Sequence, residues 1–157
     1  MRDSKPSFLD LKISSSTKIA VIVAKWNNSY NDEMFESAHE ALLKCGMNES
    51  KLERFEVPGA FEIPVLALKL AKTKHYDAII CFATIIKGST YHFEIVANES
   101  ARGIMDVMLQ TGVPVLNGIL ACNTAEQAEL RASKLKEDKG KEVALTAIAL
   151  INELHRV

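Results

Sequence analysis

At 157 residues the chain fits one domain, long enough to bury roughly 70% of the surface its unfolded form exposes. Hydrophobic residues make up 48% and charged residues 25%, the balance of an ordinary soluble globular protein. A formal net charge of −1 with scattered Lys and Arg argues against a nucleic-acid or membrane surface, and no apolar stretch approaches the ~18 residues of a membrane span.

Met1–Ser16 is polar and lacks the apolar core of a signal peptide. With Pro6 and a run of serines, residues 1–17 read as a partly ordered arm ahead of a single domain over 18–157. Lys18–Ala24 is a continuous β-branched run, which marks a strand covered on both faces. Trp26-Asn27-Asn28-Ser29 predicts a polar turn. From Asn31 onward Met34, Phe35, Ala38, Ala41, Leu42 and Cys45 recur at helical spacing, and Gly46 supplies a stop. Leu52–Val57 reads as a second strand cut by Pro58-Gly59, and Ile63–Lys72 as a second helix with Pro64 tolerated in its first turn. Ala78–Ile86 is the third predicted strand; a helix over about Phe93–Gln110 follows the loop that ends at His92. Val113–Leu120 reads as the fourth strand. Thr124–Lys136 and Lys141–Leu154 read as closing helices separated by Glu137-Asp138-Lys139-Gly140. Cys45, Cys81 and Cys122 are far apart, outside any C-x-x-C pair and in apolar contexts, as expected of small core residues in a reducing cytoplasm.

This alternation predicts an α/β fold with a mostly parallel sheet and helices on both faces. Ligands in such folds bind outside the carboxyl ends of the strands. Trp26, Pro58–Glu62, Lys87–His92 and Asn117–Asn123 are therefore expected on one rim. The apolar run Ala78–Ile86 stops abruptly at Lys87-Gly88-Ser89-Thr90, where a glycine, hydroxyls and N–H donors suit an anion. His92 follows two residues later and carries the side chain best suited to proton transfer near neutral pH, although a lone histidine is also common as a structural residue. Glu62, at a helix start after Gly59-Ala60-Phe61, reads either as a satisfier of helix N–H groups or as an acceptor for ligand hydroxyls. Trp26 reads either as a core anchor or as a stacking platform for a flat heterocycle. Arg131 and Lys139 are unremarkable by pattern. No His/Cys/Asp/Glu cluster has metal spacing, and neither G-x-G-x-x-G nor a phosphate-loop lysine motif occurs, which argues against nicotinamide and ATP chemistry.

Five ordered motifs carry a resemblance: W-N at 26–27, V-P-G-A-F-E-I-P at 57–64, I-I-K-G-S-T-x-H-F-E at 85–94, V-P-V-L-N-G-I-L at 113–120 and E-Q-A-x-x-R at 126–131. From about Lys18 to Leu154 the chain resembles the lumazine synthase family. The resemblance implies a flavodoxin-like three-layer αβα sandwich whose four strands run in the order 2-1-3-4. It also implies condensation of 5-amino-6-(ribitylamino)uracil with 3,4-dihydroxy-2-butanone 4-phosphate, the penultimate step of riboflavin biosynthesis, without metal or cofactor. Carried over, it places Trp26 on the pyrimidine ring, Ala60, Phe61 and Glu62 along the ribityl side, and Thr84, Ile85 and Ile86 against the heterocycle through backbone groups. Ser89 and Thr90 would bind phosphate and His92 would move protons. Asn117, Arg131 and Lys139 would come from a neighbouring subunit, with Arg131 gripping the phosphate and Lys139 assisting. The family's homopentamers have active sites between adjacent subunits, and some members assemble into 60-subunit shells.

Several positions depart from the family pattern: Ala83 for Gly, Lys87 for Arg, Ser89 for a frequent Glu, Tyr91 for a smaller residue or Pro, and Asn117 for an aromatic. The 132–140 connection lacks the first two glycines of the shell formers' G-x-K-x-G-N-K-G, which favours a bare pentamer. The competing reading is a flavin- or lumazine-binding protein that kept the pocket and lost turnover; it would have no need of His92, Arg131 and Lys139 together. A third is a mainly structural shell-forming protein, which the missing glycines weaken.

Overall fold

The computed structural model describes Phe8 and residues 10–157; the rest of the expected arm lies outside the described residues. Four parallel strands form one sheet in the order β2-β1-β3-β4, as the resemblance implied: β1 Ile19–Ala24, β2 Leu52–Val57, β3 Ala78–Ile86 and β4 Val115–Cys122. The helices are α1 Asn28–Lys44, α2 Ile63–Lys72, α3 His92–Thr111, α4 Ala125–Ala132 and α5 Lys139–Leu154.

Pleating sends successive side chains to opposite faces, and the two central strands are apolar in both directions. Ile19, Val21 and Val23 join Ile80 and Phe82 against α1, α4 and α5, whereas Ala20, Ile22 and Ala24 join Ile79 and Cys81 against α2 and α3. Full burial of each large side chain contributes about 1.5–3 kcal/mol, so these two apolar layers hold the sandwich together. The described part of the arm adds to the first layer. Ile13 is buried there, its N–H donates to the Cys45 carbonyl at 2.9 Å, and Asn152 Nδ2 donates to the Lys12 carbonyl at 2.9 Å.

β2, β3 and α2 have the predicted bounds, and β1 starts one residue later. Elsewhere the boundaries move, each for a local reason. The turn predicted over 26–29 closes sooner, because Asn27 takes the left-handed conformation (φ 58°) that asparagine tolerates, and α1 begins at Asn28. His92 is the first residue of α3 rather than part of the preceding loop. β4 sits two residues further along than predicted; Pro114 precedes it and supplies only its carbonyl, which accepts from Ile79 N–H at 2.8 Å. α4 stops at Ala132, where Ser133 turns extended, and Leu135 stays almost fully exposed. Lys139 and Gly140 belong to α5, whose N-cap is Asp138. Among the described residues no helix is long and apolar enough to cross a membrane.

Candidate active site

The corner after β1 is fixed from three sides. Trp26 N–H donates to the Pro58 carbonyl at 3.1 Å. Asn31, fully buried on α1, donates from Nδ2 to the carbonyls of Ala24 (2.7 Å) and Trp26 (2.8 Å) and accepts the Thr84 hydroxyl at 2.8 Å. Asn27 Nδ2 donates to the Thr84 carbonyl at 2.8 Å. With its backbone tied down, the Trp26 ring is left 74% exposed, which removes the core-anchor reading. Loss of the Asn31 amide strands the Thr84 hydroxyl and the carbonyls of Ala24 and Trp26. Asn31→Ala is expected to destabilise the fold by about 2–3 kcal/mol in urea denaturation and to shift the emission of Trp26, the sole tryptophan. A change below about 0.5 kcal/mol would show that water replaces the amide without cost.

The Pro58–Glu62 turn stands beside this corner. Glu62 Oε2 accepts the Gly59 N–H at 2.9 Å, so the expected N–H satisfaction occurs, through one carboxylate oxygen. A Cβ on Gly59 would come within 3.2 Å of that oxygen, so the glycine leaves room for the carboxylate, whereas Trp26 Cδ1 at 3.4 Å would be in ordinary contact. Phe61 is 54% exposed on the same turn. β3 continues past the end of its pairing with β1, which stops at Phe82, so residues 83–86 overhang. Thr84 is buried, its hydroxyl and carbonyl both engaged by asparagines, whereas Ile85 and Ile86 are half-buried. By the alternation of a pleated strand, Ile86 directs its N–H and C=O to the same side as Thr84. The overhang therefore offers a heterocycle its backbone chiefly at Ile86, and less at Thr84 than the resemblance implied.

Trp26, Ala60, Phe61, Glu62, Thr84, Ile85, Ile86 and His92 line one hollow of about 500 Å³, closed on its apolar side by Ile95 and Val96 of α3. His92 is exposed there. Ser89 and Thr90 do not line the hollow; they stand exposed on the turn that leads to His92, with the Thr90 hydroxyl 3.4 Å from the His92 N–H. The start of α3 leaves backbone N–H groups pointing towards this turn, a favourable place for an anion. Lys87 Nζ pairs with Glu94 Oε1 at 3.3 Å and so flanks the turn with a compensated charge. Gly88 has no positive φ, and a Cβ there would meet nothing; the turn needs no glycine at that position.

Asn117, Arg131 and Lys139 lie elsewhere. Asn117 is the third residue of β4, paired with Cys81, so it does not lie on the carboxyl rim where it was expected together with the residues up to Asn123. Its Oδ1 accepts the Ile119 N–H at 2.9 Å and blunts the open edge of β4. Asn117, Arg131 and Lys139 together line a second hollow of about 330 Å³, which shares no residue with the first. Each cation there has a carboxylate partner: Arg131 pairs with Glu137, and Lys139 Nζ with Glu142 Oε1 at 2.7 Å. Burial pushes the thiols of Cys81 and Cys122 up, with Arg131 partly offsetting this at Cys122, so neither is a ready nucleophile.

Three residues of the site arrangement, Asn31, Glu137 and Glu142, were not singled out as site residues in the sequence. A signal for the first existed: Asn31 falls on the buried stripe of α1, three residues before Met34 and seven before Ala38. The two carboxylates carry no such mark.

Comparison with known proteins assigns the chain to a family. Residues 16–155 match the family model described as 6,7-dimethyl-8-ribityllumazine synthase. The chain is 40% identical over 148 residues to a 6,7-dimethyl-8-ribityllumazine synthase of Desulfotalea psychrophila (strain LSv54 / DSM 12343), covering 94% of this chain and 96% of the relative. To the Stenotrophomonas maltophilia (strain R551-3) protein of the same name it is 39% identical over 148 residues, with the same coverage. With a family match over most of its length and relatives of this similarity along almost the whole of both chains, the chain belongs to the 6,7-dimethyl-8-ribityllumazine synthase family.

Proposed function

We propose that the chain condenses 5-amino-6-(ribitylamino)uracil with 3,4-dihydroxy-2-butanone 4-phosphate to give 6,7-dimethyl-8-ribityllumazine, phosphate and water. The observation that carries this reading is one hollow that places an exposed indole, a carboxylate, an open strand backbone and a histidine around a single volume. The pyrimidine stacks on Trp26 and hydrogen-bonds the backbone at Ile86; Glu62 accepts from ribityl hydroxyls through the oxygen that Gly59 does not use. The phosphate of the four-carbon substrate sits at the turn carrying Ser89 and Thr90, against the start of α3.

The chemistry asks for positioning and proton transfer rather than a strong nucleophile. The aromatic amine attacks the ketone and water leaves to form the imine. Loss of the C–O bond then expels phosphate, and the resulting enol tautomerises. The ribityl-bearing nitrogen closes the ring on the new carbonyl with loss of a second water. His92 moves protons in these steps, while holding the two reactants together contributes up to ~7 kcal/mol or more.

The phosphate side needs a cation that the first hollow lacks. Arg131 and Lys139, in a hollow of their own, supply it from a second copy of the chain. Complete sites therefore form between subunits, and a pentamer is the assembly we propose. Asn117 of that second copy adds an amide to the wall.

The test is absorbance in the lumazine band after mixing both substrates with wild-type protein and with His92→Ala, with particle mass measured on the same samples. Wild-type protein is expected to exceed the uncatalysed background at a mass of five chains. His92→Ala should fall by about 10²- to 10³-fold in kcat and keep that mass. Wild-type turnover by His92→Ala would remove the proton-transfer role. No turnover by wild-type protein that still binds a ribityl-bearing flavin tightly would make it a binding protein.

A further inference from the structure

The cations assigned to phosphate are already neutralised within their own chain. Arg131 and Lys139 line the second hollow with two positive charges, and each is offset by an ion-pair partner, Glu137 or Glu142, that does not itself line it. The Glu137 carboxylate is not a floppy surface group. Its own N–H donates to the Leu130 carbonyl at 3.1 Å, and the next residue, Asp138, donates to the Ser133 carbonyl at 3.0 Å. These bonds fold the 133–138 turn back onto the end of α4 and bring Glu137 close enough to pair with Arg131, with the side chains only 24% (Arg131) and 33% (Glu137) exposed.

We infer that Glu137 is an internal competitor for the phosphate group: it pairs with the Arg131 guanidinium and weakens binding of any phosphate placed there. This rests on the assignment of Arg131 to phosphate made above. Two anions facing one cation repel each other, and the resident one is part of the fold. It therefore lowers affinity for the phosphate-bearing substrate and for released inorganic phosphate alike. Such a device favours departure of the anion that each turnover leaves behind. It acts on binding, not on the reacting atoms.

A carboxylate that merely orients Arg131 would behave in the opposite sense, so charge and shape can be separated. Glu137→Gln keeps an acceptor oxygen and the side-chain length but removes the charge; Glu137→Ala removes both. The measurement is calorimetric titration of the assembled full-length protein with inorganic phosphate at low ionic strength, on wild type, both Glu137 variants, Arg131→Ala and the Arg131→Ala/Glu137→Gln double variant. The inference expects both Glu137 variants to bind phosphate about three- to tenfold more tightly, with the gain abolished in the Arg131→Ala background. The gain should shrink as salt is raised. If Arg131→Ala weakens phosphate binding but Glu137→Gln leaves it unchanged or weaker, the inference falls and the assignment of Arg131 stands. If Arg131→Ala leaves phosphate binding unchanged, the assignment itself falls and takes the inference with it.

Discussion

Gly140→Ala is expected to destabilise the protein by about 3–5 kcal/mol, measured as a shift in the urea unfolding midpoint at unchanged slope. On helix propensity alone the sign would be the reverse, since alanine is favoured over glycine inside a helix by about 1 kcal/mol. Packing decides otherwise. A Cβ at Gly140 would lie 2.1 Å from the Met34 carbonyl oxygen and 2.8 Å from its carbonyl carbon and Cα. These are backbone atoms of α1, and no rotamer change moves them aside. The two helices would have to separate, opening the apolar layer that holds Met34, Ala144 and Ala147. They would also pull on the Ser37 hydroxyl, which donates to Asp138 Oδ1 at 2.5 Å and ties α1 to the start of α5. The damage would reach Lys139, proposed above for the phosphate side, because it is the first residue of that helix. A neutral or stabilised Gly140→Ala protein would mean that the helices do not approach this closely.

Arg131→Ala is expected to lower kcat/KM for the phosphate-bearing substrate by about 10²- to 10³-fold while changing the KM for the pyrimidine substrate by no more than about twofold. Truncating one member of a hydrogen-bonded charge pair costs ~2–5 kcal/mol when the other stays in place. Here two anions are left behind, the substrate's phosphate and the Glu137 carboxylate. Lysine should restore only part of the loss, because a point charge lacks the planar fork that holds a phosphate through two parallel hydrogen bonds. Steady-state kinetics with each substrate varied in turn separates these effects. Equal weakening of both substrates would indicate a disturbed subunit contact rather than a lost phosphate ligand.

Much of the fold was legible because the sheet's needs and the sequence pattern coincide. β1 and β3 are covered on both faces, so their residues are apolar apart from Thr84, and length separates them from helices. Edge strand β4 was harder. Its exposed Asn117 breaks the apolar run, while Val113 and Pro114 ahead of it extend the run falsely. The end of α4 was missed because Lys134, Leu135 and Lys136 continue a helical composition, although the backbone has already turned at Ser133. In the site, the glycine turn, Glu62 and His92 stood out by type and place, whereas Arg131 and Lys139 came only through the family resemblance. The roles of Asn31 and Glu137 depend on pairings across dozens of residues or around a turn, and no local spacing encodes such a contact.

The separation of the two hollows on each chain has a further consequence. On the proposed assignment, a chain with the indole and histidine lining one hollow and the arginine and lysine lining another would donate in one direction and receive in the other. Joined head to tail, two copies would complete one reaction centre and leave two halves idle at the ends. Any open row wastes the same two halves, however long it grows. If Arg131 and Lys139 serve a neighbour's centre as proposed, only a closed cycle would give as many working centres as members, and a ring would be expected over a row.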